Sequence, residues 1–180
     1  MEKDSFLKIK NNLLRNNIVP DLFFSNDSIE LCFEWIVFQP TEKLLSIRNS
    51  PHVLSNMLNK KPISIKQHKS FLDKYNDLPR LDFIIKDCKT KSIIGSLNAN
   101  MIDDRIEIGK YIGNLNYLKK GIAKNGMIKF FDFFSNYFSY KYIYSRTKNK
   151  NIVNIKLNEK LGFEYLEDLD NTYILMRKKV

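Results

Sequence analysis

The sequence predicts a mixed α/β domain built on a mostly antiparallel sheet. Three observations predict it. Two pairs of β-rich runs, 81–86 with 92–101 and 163–167 with 172–177, are each joined by turn residues. Two segments, 121–137 and 151–161, read as helices and sit between strand-like runs. The run 105–112 leads through Gly113 and a short loop into Gly121, where a helix opens.

The elements follow in order. Residues 1–28 are Asn-rich and polar with a few apolar anchors, which predicts a helix and a loop ahead of the main domain at 29–180. Residues 29–39 (IELCFEWIVFQ) are β-branched and aromatic and end before Pro40, so they read as a strand. Residues 41–58 carry apolar stripes interrupted by Pro51, which predicts two short helices with a bend. Ser64 with Gln67 three residues on is a capping box that opens a helix to about residue 75. Strands are predicted at 81–86, 92–101 and 105–112, with a turn at 87–91. In the helix 121–137, Met127, Phe130, Phe131, Phe134 and Phe138 follow helical spacing and should face the core. A strand follows at 140–146. Asn151 then caps a helix that stops at Gly162, and strands at 163–167 and 172–177 close the chain.

Composition narrows the function. With 180 residues, 43% apolar and 13% aromatic, the chain supports one domain with a real core and excludes a disordered chain. No run approaches a transmembrane span, and residues 1–17 have no apolar leader core, so a cytoplasmic protein is expected. Cys32 and Cys88 are far apart and lack ligand-like spacing, which fits two thiols in a reducing compartment and no metal site. The net charge of +10 suits an anionic partner. The lysines form no dense block, and no zinc-finger, RNP or helix-turn-helix pattern occurs, so phosphorylated small molecules fit better than nucleic acid.

Two stretches carry the chemistry. A strand, a Gly-containing loop and a helix start form an anion cradle, because unpaired N–H groups and the positive helix end point at the ligand. Lys119, Lys120 and Lys124 would add charge around it. The second stretch is Asn151 followed by a run ending Glu159-Lys160-Leu161-Gly162-Phe163. In this order and separation the two resemble the acetyl-CoA-binding core of the GNAT acetyltransferases, over about residues 29–178. Gly121 and Ala123 match that family's loop signature, whereas Leu118 stands where Arg or Gln is usual.

The resemblance implies a GNAT fold and acetyl-CoA as co-substrate, with no metal. It implies that Leu118, Lys119, Lys120, Gly121, Ile122, Ala123 and Lys124 hold the pyrophosphate. Lys110, Tyr111 and Ile112 would offer backbone bonds to the pantetheine arm, and Asn151 would bond the arm while capping its helix. Glu107 lies where several family members carry a general base. Asn158 occupies the position where many carry a tyrosine acid, so the proton source for the leaving thiolate is unassigned between Tyr111, Tyr144 and none.

Arg48-Asn49-Ser50-Pro51, Met57, Ile63-Ser64 and His68 resemble the amino-sugar N-acetyltransferases of the pseudaminic-acid pathway, which serves flagellin glycosylation. That implies a UDP-linked amino sugar as acceptor, with Arg48 and His68 on its phosphates or base and Asn49 and Met57 nearby. Met57 suits a core position better than the sugar pocket. Two other readings stand beside this one: a ribosomal-protein or N-terminal protein acetyltransferase, and a non-catalytic CoA-binding module. The resemblance is also compatible with a homodimer through the final strands.

Overall fold

A computed structural model describes residues 1–180. One eight-stranded sheet organises it. The elements in chain order are α1 (Lys3–Arg15), β1 (Phe23–Phe24), β2 (Glu30–Trp35), α2 (Thr41–Arg48), α3 (Pro51–Leu54), α4 (Ile65–Asp73), β3 (Arg80–Asp87), β4 (Ile93–Ile102), β5 (Arg105–Ile112), α5 (Ile122–Tyr137), β6 (Tyr142–Lys148), α6 (Ile152–Lys160), β7 (Glu164–Asp168) and β8 (Tyr173–Lys179). The sheet order is β1-β2-β3-β4-β5-β6-β8-β7. Every pairing is antiparallel except β5 with β6.

Alternation along the central strands divides the two faces. Leu81, Phe83 and Ile85 of β3, Leu97 and Ala99 of β4, and Ile106 and Ile108 of β5 join Met127, Phe130, Phe133 and Phe134 of α5 in the main core. On the other face Ile84 and Ile93 meet Leu44 of α2 in a smaller cluster. Phe131 corrects the expectation for α5. It is only partly buried against the core, with its ring centroid 6.0 Å from Phe163, and Phe133 is buried in the inward stripe instead.

Local signals worked as expected at the helix starts. The Ser64 hydroxyl accepts from the Gln67 amide at 3.2 Å, and the Gln67 side chain accepts from the Ser64 amide at 2.8 Å. The Asn151 side chain accepts from the Asn154 amide at 3.1 Å. The strand predicted at 29–39 stops at Trp35, because residues Ile36–Phe38 turn into a single 3-10 turn closed by Gln39 N–H on the Ile36 carbonyl.

Residues 1–28 belong to the same folded body. α1 buries Phe6 and Leu13 in the main core, with Phe6 4.7 Å from the Phe138 ring. The buried Lys10 ammonium donates to the Tyr75 and Leu78 carbonyls. β1 extends the sheet edge. No helix is long and apolar enough to cross a membrane.

Candidate active site

The site grows from an opening in the sheet. β5 and β6 pair only at Ile106 with Ile143 and Glu107 with Tyr144. Beyond Glu107 the strands part, so the β6-facing edge of residues 108–112 is left without a strand partner, and its backbone groups are available. Lys110, Tyr111 and Ile112 lie on that stretch.

The loop after β5 builds the cradle. Lys119 (φ 62°) and Gly121 (φ 72°) are both left-handed, a geometry that turns successive N–H groups to one side. Gly121 has a second reason to be glycine: a Cβ there would sit 2.3 Å from the Asn26 Oδ1. No side chain caps α5, so the amides of its first turn, at Ile122, Ala123 and Lys124, have no side-chain acceptor from its N-cap. Lys119 and Lys124 are exposed, as is Leu118; Lys120 pairs with Asp27 at 3.6 Å. The turn at 25–27 buttresses this loop, with Asn26 N–H donating to the Lys120 carbonyl at 2.9 Å.

Across the sheet lies a cavity of about 390 Å³ walled by α2, α4 and the 59–63 loop, with Ser96, Asn98 and Tyr111 on its floor. Asn49 fastens that loop: its side chain donates to the Ile63 carbonyl at 2.8 Å and accepts from the Ile63 amide at 2.9 Å. Both polar ends of Asn49 are therefore spent on the wall. Met57 is half-buried outside the cavity lining. His68 is buried, with its Nδ1 3.2 Å from the Thr41 hydroxyl, and desolvation lowers its pKa, so it is neutral. Burial pushes the Tyr111 phenol up to about 12, so it remains protonated and can donate.

Three cationic side chains line the cavity, Arg48, Lys61 and Arg80, against one carboxylate, Asp82. Arg80 and Asp82 neutralise each other through two hydrogen bonds, the Nε one at 2.6 Å. Arg48 has no carboxylate partner, and its Nη1 is buried with no acceptor. Desolvation lowers its pKa, offset in part by Tyr111.

Glu107 lies on this same face, opposite Asn100 in the register, and is held by Arg146 at 2.8 Å. Asn100 donates to Asn98 at 3.1 Å and leaves its own Oδ1 buried without a donor. The opposite face of β5 carries Lys110, whose Nζ donates to Asn158 Oδ1 at 2.6 Å. Asn158 is 0% exposed, and its Nδ2 donates to the Ser145 and Thr147 hydroxyls at 3.1 and 3.2 Å. Its amide is thus engaged wholly with the protein.

The structure brings the sequence-predicted residues into three groups. The 118–124 loop forms the cradle, Arg48, His68 and Tyr111 line the cavity, and Glu107 stands beside it. Sequence reasoning missed Arg80, Asp82, Lys61 and the side chain of Lys110. It also missed the pair Asn98 and Asn100, although two asparagines two apart within a central strand are an unusual choice and point one way.

A splayed parallel strand pair, an uncapped helix start behind a left-handed loop, and a lined cavity on the far face define an acyltransferase scaffold. The acetyltransferase (GNAT) domain family matches residues 31–164, and the chain belongs to that family; it is an N-acetyltransferase. No curated protein sequence matches it. Among solved structures it is similar to the Vibrio cholerae spermidine N-acetyltransferase in complex with CoA and spermine (17% identity, TM-score 0.72, covering 83% of this chain and 95% of that one). It is similar to the microcin C7 self-immunity acetyltransferase MccE in complex with acetyl-CoA and AMP (19%, 0.66, 83% and 92%). It is also similar to the Campylobacter jejuni N-acetyltransferase PseH (16%, 0.62, 83% and 97%).

Proposed function

We propose that the protein transfers acetyl from acetyl-CoA to the primary amine of a nucleotide-linked amino sugar, by direct attack in a ternary complex. The observation that carries the acceptor class is Arg48. A guanidinium with a buried, unpartnered N–H is costly unless an anion meets it, and a planar fork suits a diphosphate. With Arg80 and Asp82 cancelling, Arg48 and Lys61 leave the cavity net positive, which opposes a polyamine. The fastened 49–63 wall also suits a compact acceptor more than a peptide threaded through an open cleft.

The cradle fits acetyl-CoA. The first-turn amides of α5 and the left-handed loop suit a pyrophosphate, with Lys119 and Lys124 free to reach its charge and Lys120 tethered by Asp27. The unpaired edge of β5 suits the amides of a pantetheine arm. Glu107 takes the proton that the attacking amine sheds, directly or through water, while Arg146 holds the carboxylate in place. Asn100 Oδ1 offers a second acceptor to the amine. The MccE neighbour, solved with AMP beside acetyl-CoA, is in keeping with an acceptor that carries a nucleotide.

Isothermal titration with acetyl-CoA, followed in the same cell by a UDP-linked amino sugar, tests the reading. Micromolar acetyl-CoA binding and a second heat with the sugar nucleotide are expected. Binding of acetyl-CoA followed by heat with spermidine and none with the sugar nucleotide would overturn the acceptor class.

A further inference from the structure

We propose that Lys110 protonates the sulfur that leaves the acyl donor, with Asn158 holding the ammonium in position. The inference rests on the chain's being acetyl-CoA-dependent, but not on the identity of its acceptor.

Lys110 lies on the stretch of β5 that has parted from β6, at the opening assigned above to the pantetheine arm. Its side chain crosses to α6 and ends on the Asn158 amide oxygen, 2.6 Å away. Position 158 is where the family resemblance expects a phenolic acid, and an amide cannot give up a proton at neutral pH. The lysine puts an acidic N–H next to that place. Asn158 cannot swing to meet a ligand itself, because its Nδ2 is fixed by Ser145 and Thr147.

The electrostatics then suit the task. Lys86 and Lys120 each have a carboxylate partner in this chain, Glu34 and Asp27, whereas Lys110 has none. The residues around the Lys110–Asn158 pair are Leu97 of β4, opposite in the register, Ser145 and Thr147 of β6, and Met176 of β8, all uncharged. Burial is the one cause that moves its pKa, down to about 7. An ammonium poised there gives and regains a proton near neutrality. Lys10, the other buried lysine without a carboxylate, is held by two main-chain carbonyls far from the opening, whereas Lys110 meets a single amide oxygen beside it.

The step balances. The amine nitrogen forms a bond to the acetyl carbon and sheds one proton. The C–S bond breaks with its electron pair on sulfur. Lys110 NH3⁺ passes a proton to that sulfur and becomes NH2, and CoA leaves as the thiol. Lys110 then recovers a proton from water.

The test needs no acceptor amine. The thiol of bound CoA is titrated by its thiolate ultraviolet absorption in wild type, Lys110→Met and Lys110→Arg. Alongside, acetyl-CoA affinity and the slow cleavage of acetyl-CoA by water are measured. The two groups titrate as a coupled pair, and the ammonium favours the thiolate, so at pH 7 the bound thiol should be more ionised in wild type than in Lys110→Met. Cleavage should fall roughly 100-fold in Lys110→Met, with acetyl-CoA affinity within about threefold. Lys110→Arg keeps the charge but gives up no proton, so it should restore the thiol ionisation and leave cleavage slow. It also serves if the methionine variant does not fold. Equal thiol titration in wild type and variant with undiminished cleavage would overturn the proposal. So would loss of acetyl-CoA binding in Lys110→Met, which would make the lysine a cofactor anchor. Failure of the wild type to bind CoA at all would instead overturn the acetyl-CoA reading.

Discussion

Apart from the exposed Lys61, four cations of the site divide into two kinds. Arg80 and Arg146 are each matched to a carboxylate, Asp82 and Glu107. Arg48 and Lys110 are matched to none, and both have their pKa pulled down by desolvation. A fold can absorb a paired charge as structure, but an unpaired one costs stability and persists where a ligand supplies what is missing. The two unpaired cations also lie on opposite faces, Arg48 on the cavity beside Tyr111 and Lys110 toward α6. Lys110 and Tyr111 are consecutive, and the alternation of one strand sends them to the two sides. The comparison therefore separates an acceptor side from a donor side within one strand.

The largest expected effect breaks a paired cation. Arg80→Met leaves Asp82, 2% exposed, without its partner, and should cost about 3–5 kcal/mol by urea unfolding. Any loss of activity should then follow the loss of fold. Arg48→Met should do the reverse. Stability should hold or rise, while KM for a UDP-linked amino sugar rises roughly 10–100-fold, as expected for a lost charge-assisted bond of about 1.5–3 kcal/mol. A variant that loses stability and keeps KM would erase the distinction between the two cations.

Lys110→Met sharpens the other side. Its folded pKa of about 7 lies below the ordinary 10.5, so between these values the unfolded chain binds more protons. Stability attached to this group therefore grows as pH rises from about 7 to 10.5 and is missing below 7. Removing the amine relieves the buried ammonium but leaves the buried Asn158 Oδ1 without its donor, at about 1–3 kcal/mol, while slowing turnover. Calorimetry at pH 7 and pH 10 checks it: wild type should gain stability over Lys110→Met as pH rises.

The smallest effect belongs to His68. Burial holds its pKa below the ordinary 6.5, so the unfolded chain takes up the proton first as pH falls. Stability should decline as pH falls below about 6.5, and His68→Gln should flatten that decline in melting temperature.

What the sequence made legible was local. The capping box at Ser64, the N-cap at Asn151, the bend at Pro51 and the hairpin at 87–91 are signals spanning a few residues, and each lies where it was expected. The turn at Gly121 and the start of α5 were legible because they are contiguous. The remainder depends on residues far apart in the chain. Asn26 pressing on Gly121 is what ties residues 1–28 to the site, and nothing in either segment announces the other. Lys110 meeting Asn158 spans 48 residues and depends on the parting of β5 from β6, which no periodicity encodes. Asn49 read as a substrate contact by resemblance, but its amide is committed to Ile63.

The most direct test of the central claim is the ratio of kcat/KM for a UDP-linked amino sugar to that for spermidine, in wild type and Arg48→Met. A ratio well above one that collapses in the variant is the predicted result. A wild-type preference for spermidine, or a ratio that Arg48→Met leaves unchanged, would contradict an anion-binding acceptor site.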